Sequence, residues 1–194
     1  MSNFSLLPTL LAFLLISCGS SESTDQDFGK PPSAWSNLEE LKKRPSPAKT
    51  VMEEATNGLK IALHYSSPYV KGRKIWGDLV PLDTVWRTGA NEATIIAFNK
   101  DVLIADQLIK AGSYSFFTIP KENNWTLIIN AISDQWGAYT YDPTKDVLRI
   151  EAENIIREPT ENLSYHISTV NNGEQFQIEL EEDLFYLSLY LDSQ

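Results

Sequence analysis

A chain of 194 residues that is 42% hydrophobic and 11% aromatic carries enough apolar material for one sizeable core, which excludes disorder throughout. Its net charge of −10 is concentrated in residues 151–194, which carry −9, and no basic stripe is present, so the sequence argues against a nucleic-acid partner bound through counterion release. The single cysteine, Cys18, forbids an intramolecular disulfide and leaves packing to hold the fold.

Leu6 to Ile16 is an apolar run with no charged residue before Cys18, too short to span a bilayer and of the length of a secretory hydrophobic region. It ends in Leu15-Ile16-Ser17-Cys18, which resembles the lipobox of bacterial lipoproteins. The resemblance implies a signal peptide over residues 1–17 and acylation of Cys18, with the membrane as a partner through that anchor. The alternative is an ordinary or uncleaved signal with a stray cysteine. Gly19 is not the aspartate that retains lipoproteins in the inner membrane, so an outer-membrane location in the cell envelope is expected. Residues 18–47 read as a tether: GSSESTDQDFGK has almost nothing to bury, and a short helix is expected over Ser33–Lys43. Ser36 and Glu39 form a capping-box pattern, Trp35, Leu38 and Leu41 share one face, and Pro45 and Pro47 stop the helix. Trp35 is placed either on the domain or at the membrane surface.

From residue 48 onward the pattern is of short strands. Asn57-Gly58 signals a hairpin joining Thr50–Ala55 to Leu59–Tyr65, because both residues tolerate positive φ. Strands follow over Ala93–Phe98, Val102–Ala105, Leu108–Ile109, Ser113–Ile119, Trp125–Ala131, Trp136–Tyr141 and Val147–Ala152. Leu163–Val170 and Glu174–Leu180 flank a second hairpin signal, Asn171-Asn172-Gly173, and Leu184–Leu191 ends the chain. About ten strands without a convincing helix after residue 44 predict a single all-β domain over residues 48–194, an antiparallel β-sandwich or jelly-roll-like barrel.

Pro68 to Thr94 is too rich in turn-formers, aromatics and charges for an ordinary strand pair. It presents guanidinium, amide, carboxylate and indole groups together, the chemistry of a polar-ligand site. The candidate binding residues are Arg73, Trp76, Trp86, Arg87, Asn91 and Glu92, joined by Trp136 from a later segment. Gly77 and Gly137 each follow a tryptophan, which predicts tight turns exposing Trp76 and Trp136, whereas Trp125 alternates inward with Leu127 and Ile129. Lys71 and Lys74 read as solvated loop charges.

The stretch Tyr65-Ser66-x-Pro68-x-x-Lys71-Gly72-Arg73-x-Ile75-Trp76-Gly77, then Leu79-Val80-Pro81 and Val85-Trp86-Arg87-Thr88-Gly89-Ala90-Asn91-Glu92-Ala93-Thr94, is similar to the signature of a bacterial family catalogued as domain of unknown function 2911. Ala111-Gly112-x-Tyr114-Ser115-x-Phe117-Thr118-Ile119-Pro120, Trp125-Thr126, Gln135-Trp136-Gly137 and Asp146-Val147-Leu148-Arg149 extend the likeness. Members of that family commonly carry secretory or lipoprotein signals. The family has no established activity, so the resemblance identifies a domain without supplying its chemistry.

Catalytic and cofactor signals are sparse. His64 and His166 are the only histidines, neither in a metal-ligand spacing, and no serine-hydrolase elbow is present, so no metal and no cofactor is expected. Glu92 with Asp142 or Asp146 is the remaining carboxylate pair; the competing reading has Glu92 bound to Arg87 or Arg73, pinning the loop, and Asp146 bound to Arg149. Three functions follow in order: a lipid-anchored module binding a glycan, peptide or envelope component; a structural or assembly protein of the envelope; and a carboxylate-dependent hydrolase.

Overall fold

The computed structural model describes residues 28, 33–171 and 175–193. Cys18, the expected signal peptide and most of the tether lie outside these residues, as do Asn172 and Gly173 of the second hairpin signal. The described part is an all-β sandwich of two antiparallel sheets. The larger sheet runs β1 (Ala48–Glu54), β2 (Lys60–Ser66), β3 (Thr94–Phe98), β6 (Gly112–Ile119), β7 (Asn124–Asn130), β8 (Asp146–Glu153). The smaller runs β5 (Gln107–Ile109), β4 (Val102–Ile104), β10 (Gln175–Ser193), β9 (Ile155–Val170).

Alternation along the strands builds the core between the sheets. Ile61, Leu63 and Tyr65 of β2, Trp125, Leu127 and Ile129 of β7 and Leu163, Tyr165 and Ile167 of β9 all point into it. The larger sheet is also covered on its other face, which is why β3 (TIIAF) is buried at every position and reads as a continuous apolar run. Part of that cover is the segment before β1, in which Trp35 and Leu41 pack on Ala48 and Ile95. The rest is a turn-rich segment after β7, where Ala138 and Tyr141 lie against Ala93, Phe117 and Ile128. His64 shows the consequence: it leaves the main core, yet it is buried beside Trp35, with its Nδ1 2.9 Å from Thr50 Oγ1.

Four expectations are corrected. Residues 33–43 form only a 3-10 turn (Ser33–Trp35) and one helical turn, α1 (Leu38–Leu41); the capping residue is Asn37 without a side-chain bond, so the Ser36/Glu39 box does not form. Trp35, Leu38 and Leu41 do share one face, and it docks on the domain. Trp136–Tyr141 is not a strand, because Gly137 enters the left-handed region at φ 64 and turns the chain. Strand β9 begins at Ile155, well before Leu163, and passes through Pro159, which is tolerated at the sheet's edge where no ladder bond is owed on one side. Strand β10 is continuous over the two segments expected separately, with register shifts around Asp183, whose φ of 53 marks a bulge.

Candidate functional site

Between β2 and β3 the chain leaves the sheet for residues 67–93 and returns, and both ends of this excursion are pinned to strands. On the outward side Val70 donates its N–H to Glu161 O at 2.7 Å, and Leu163 donates to Pro68 O at 3.1 Å, which ties the segment to β9. On the return, Trp86 and Thr118 exchange backbone bonds of 2.7 and 3.0 Å, and Asp83 donates to Pro120 O at 2.8 Å. The apex cannot pack as a strand, so it folds on its own aromatics. Trp76 stands edge-on to Trp125 at 4.5 Å and to Trp86 at 5.3 Å, a geometry that contributes about 0.5–1.5 kcal/mol per pair beyond burial.

Residues 86–91 are held in an unfavourable shape. Thr88 is fully buried at φ 52 and Asn91 lies at φ 60, in the left-handed region that costs a β-branched residue of order 1–3 kcal/mol. Neighbours enforce it. Thr88 O accepts from Thr94 Oγ1 at 2.8 Å and from Tyr165 Oη at 2.8 Å, Thr88 Oγ1 lies 3.2 Å from Thr118 Oγ1, and Ala90 donates its N–H to Ser66 O at 3.1 Å. Gly89 has no room for a side chain, since a Cβ there would stand 2.9 Å from Thr94 Oγ1 and 3.2 Å from Ser66 O.

The excursion encloses a cleft of about 430 Å³, within the range of small-molecule sites. Its floor is apolar, with Ile75, Val80 and Trp86, and Leu79 stands at its side 53% exposed. Its polar groups are Arg73, Arg87, Asn91, Thr84 and Ser46, and among the described residues that line it there is no aspartate or glutamate. The Arg73 guanidinium is fixed by the carbonyls of Tyr69 and Val70, the latter at 3.0 Å from Nε. Those bonds use two of its five N–H donors.

The structure therefore brings Arg73, Trp86, Arg87 and Asn91 of the predicted set to one concave surface. Trp76, expected to be exposed by the turn at Gly77, is instead half-buried in the aromatic cluster beside that surface, because its ring packs edge-on against Trp86 and Trp125. Trp136 is 54% exposed on the neighbouring turn, as its glycine predicted. Lys71 and Lys74 are exposed and outside the lining.

Glu92 departs from both sequence readings. It is 1% exposed and binds neither Arg73 nor Arg87 in the bonds that fix it: Arg44 Nη1 donates to its Oε1 at 2.6 Å and Ser66 Oγ to its Oε2 at 3.4 Å. Arg44 also lies over the Trp136 ring, 6.0 Å from its centroid. The segment before β1 thus reaches the site twice more, through Ser46 in the lining and through Asn91 Nδ2, which donates to Ser46 O at 3.4 Å. Nothing in the spacing of Arg44-Pro45-Ser46-Pro47 announces this, because the contact joins residues 48 positions apart through the fold.

The other carboxylates are engaged elsewhere. Asp142 caps the 3-10 turn Pro143–Lys145 by accepting from Thr144 N at 2.9 Å and Thr144 Oγ1 at 2.8 Å, bonds that hold its carboxyl below the usual range. Asp146 accepts from Tyr141 Oη at 2.6 Å, Arg149 Nη1 at 2.9 Å and Asn130 Nδ2 at 2.9 Å, so the expected Asp146–Arg149 pair forms. Burial, together with the hydrogen bond to Asp146, pushes the Tyr141 phenol up to about 12. These bonds clamp the turn after β7 to β8.

A family model described as protein of unknown function (DUF2911) matches residues 46–188, a span that contains the whole cleft. No curated protein and no solved structure matches the chain.

Proposed function

We infer the function of this chain, which belongs to the DUF2911 family, from the chemistry of its cleft: it is a binding module for a small anionic ligand. The observation that carries this reading is Arg73, whose guanidinium is anchored by two carbonyls and spends two of its five donors on them, beside Arg87 in a lining whose described residues include no acid. An arginine fork suits carboxylate or phosphate, and one already fixed by carbonyls loses little further freedom on binding. The apolar floor takes the ligand's body while Asn91, Thr84 and Ser46 offer orienting polar groups. The Cys18 reading adds a lipid anchor, so the module is proposed to work tethered to the cell envelope, on the outer membrane.

The reading is tested by a thermal-shift screen of anionic and matched neutral metabolites and glycans. A ligand present at 100 times its Kd stabilises by about 2.7 kcal/mol. Anions are expected to raise the melting temperature of the wild type and not that of the Arg73→Ala/Arg87→Ala variant. Equal stabilisation of both proteins overturns the reading.

A further inference from the structure

We propose that the cleft continues onto an aromatic shelf made by Trp136 and Tyr139, and that the ligand spanning both is an acidic oligosaccharide, with a carboxylate at the arginines and a neighbouring sugar ring on the shelf. The proposal rests on the anion-binding reading above and adds the class of ligand.

The turn bearing the shelf abuts the cleft directly. Ala138 is in the lining, and at Gly137 a Cβ would stand 3.7 Å from Asn91 O, a cleft residue, and 3.2 Å from two carbons of the Tyr139 ring. The Tyr139 ring therefore folds back over Gly137 at the cleft's edge. It is 83% exposed, and Trp136, one residue before that glycine, is 54% exposed. Single exposed aromatics are ordinary, but two on one four-residue turn at the margin of a cleft leave a large apolar surface with a direction.

The Trp136 indole is also held in place. The Arg44 guanidinium lies over its ring, and Arg44 is itself fixed by buried Glu92. The exposed part of the ring is thus offered in a set orientation. An electron-rich ring face attracts the slightly positive, apolar C–H face of a pyranose, while the sugar's hydroxyls look to side chains such as Asn91 and Thr84.

Other occupants fit less of what is there. None of the described lining residues belongs to a strand of either sheet, so among them a peptide finds no strand edge to extend. A lone organic anion uses the arginines and leaves the shelf idle, and a neutral glycan does the reverse. A nucleotide stacks on aromatics too, and it enters the test as a competitor.

The test titrates the purified protein, at low ionic strength, with galacturonic acid, oligogalacturonates of increasing length, the matching neutral oligosaccharides and a nucleoside monophosphate. Oligogalacturonates are expected to bind roughly tenfold more tightly than the monomer. Tyr139→Ala and Trp136→Ala, both at exposed positions, are expected to remove that advantage, whereas Arg73→Ala/Arg87→Ala abolishes binding of monomer and oligomers alike. If the monomer binds as well as the oligomers and the shelf variants change nothing, the shelf is not part of the site, although the anion site stands. Preference for the nucleotide or the neutral glycan overturns the ligand class, and absence of any anion binding overturns the cleft reading itself.

Discussion

Arg44 Nη1 lies 2.6 Å from Glu92 Oε1, and the two residues are unlike in their surroundings: the Glu92 side chain is 1% exposed, the Arg44 side chain 34%. Removing the arginine leaves a buried carboxylate whose remaining side-chain hydrogen-bond partner, among the described residues, is Ser66. Arg44→Met is expected to destabilise by about 3 kcal/mol, the low end for a broken buried pair because one partner is partly solvated. Arg44→Met/Glu92→Leu is expected to recover most of the loss, and a double-mutant cycle by denaturant unfolding measures the coupling.

Gly89 tests the packing of the strained segment. Its φ is ordinary, so substitution acts by crowding: alanine presses on Thr94 Oγ1 and on the Ser66 carbonyl. Gly89→Ala is expected to cost about 1–3 kcal/mol, read as a shifted denaturation midpoint at unchanged slope.

The segment before β1 depends on Trp35. A helical turn of four residues cannot persist alone in water, so α1 is ordered by docking its apolar face. Trp35→Ala is expected to cost about 3–5 kcal/mol and to speed amide exchange over residues 38–44 more than in β7.

Tyr141 supplies a pH signature. Burial, then the hydrogen bond to Asp146, raise its phenol to about 12 from 10.0. A phenol raised in the folded state contributes stability that is intact below pH 10 and is lost as pH climbs through about 12. Tyr141→Phe is expected to be less stable by about 1 kcal/mol below pH 10 and to lack this part of the alkaline decline, as followed by denaturant unfolding across that range.

Much of the sandwich was legible because its signals are local. The Asn57-Gly58 hairpin, the β7 alternation of Trp125, Leu127 and Ile129, and the turn at Gly137 are each written within a few residues. Trp136–Tyr141 misled because aromatic residues carry strand propensity while the glycine's backbone preference decides the path. The edge position that lets Pro159 stay in β9 exists only once the sheet is assembled. The candidate site divides the same way. Arg73, Trp86, Arg87 and Asn91 share one excursion, so sequence proximity found them. Glu92 lies beside them in the chain, but its environment is set by Arg44, whose approach depends on the docking of Trp35 and Leu41.

The claim that an anion is held in this cleft is tested most directly by following the arginine side-chain Nε–H signals in nuclear magnetic resonance while an acidic oligosaccharide is titrated in. Arg73 and Arg87 are expected to shift together and saturate with one Kd, with Arg149, held by Asp146 and Tyr141 outside the lining, unchanged as a control. Movement spread evenly over all the arginines, or saturation that bypasses Arg73 and Arg87, would contradict it.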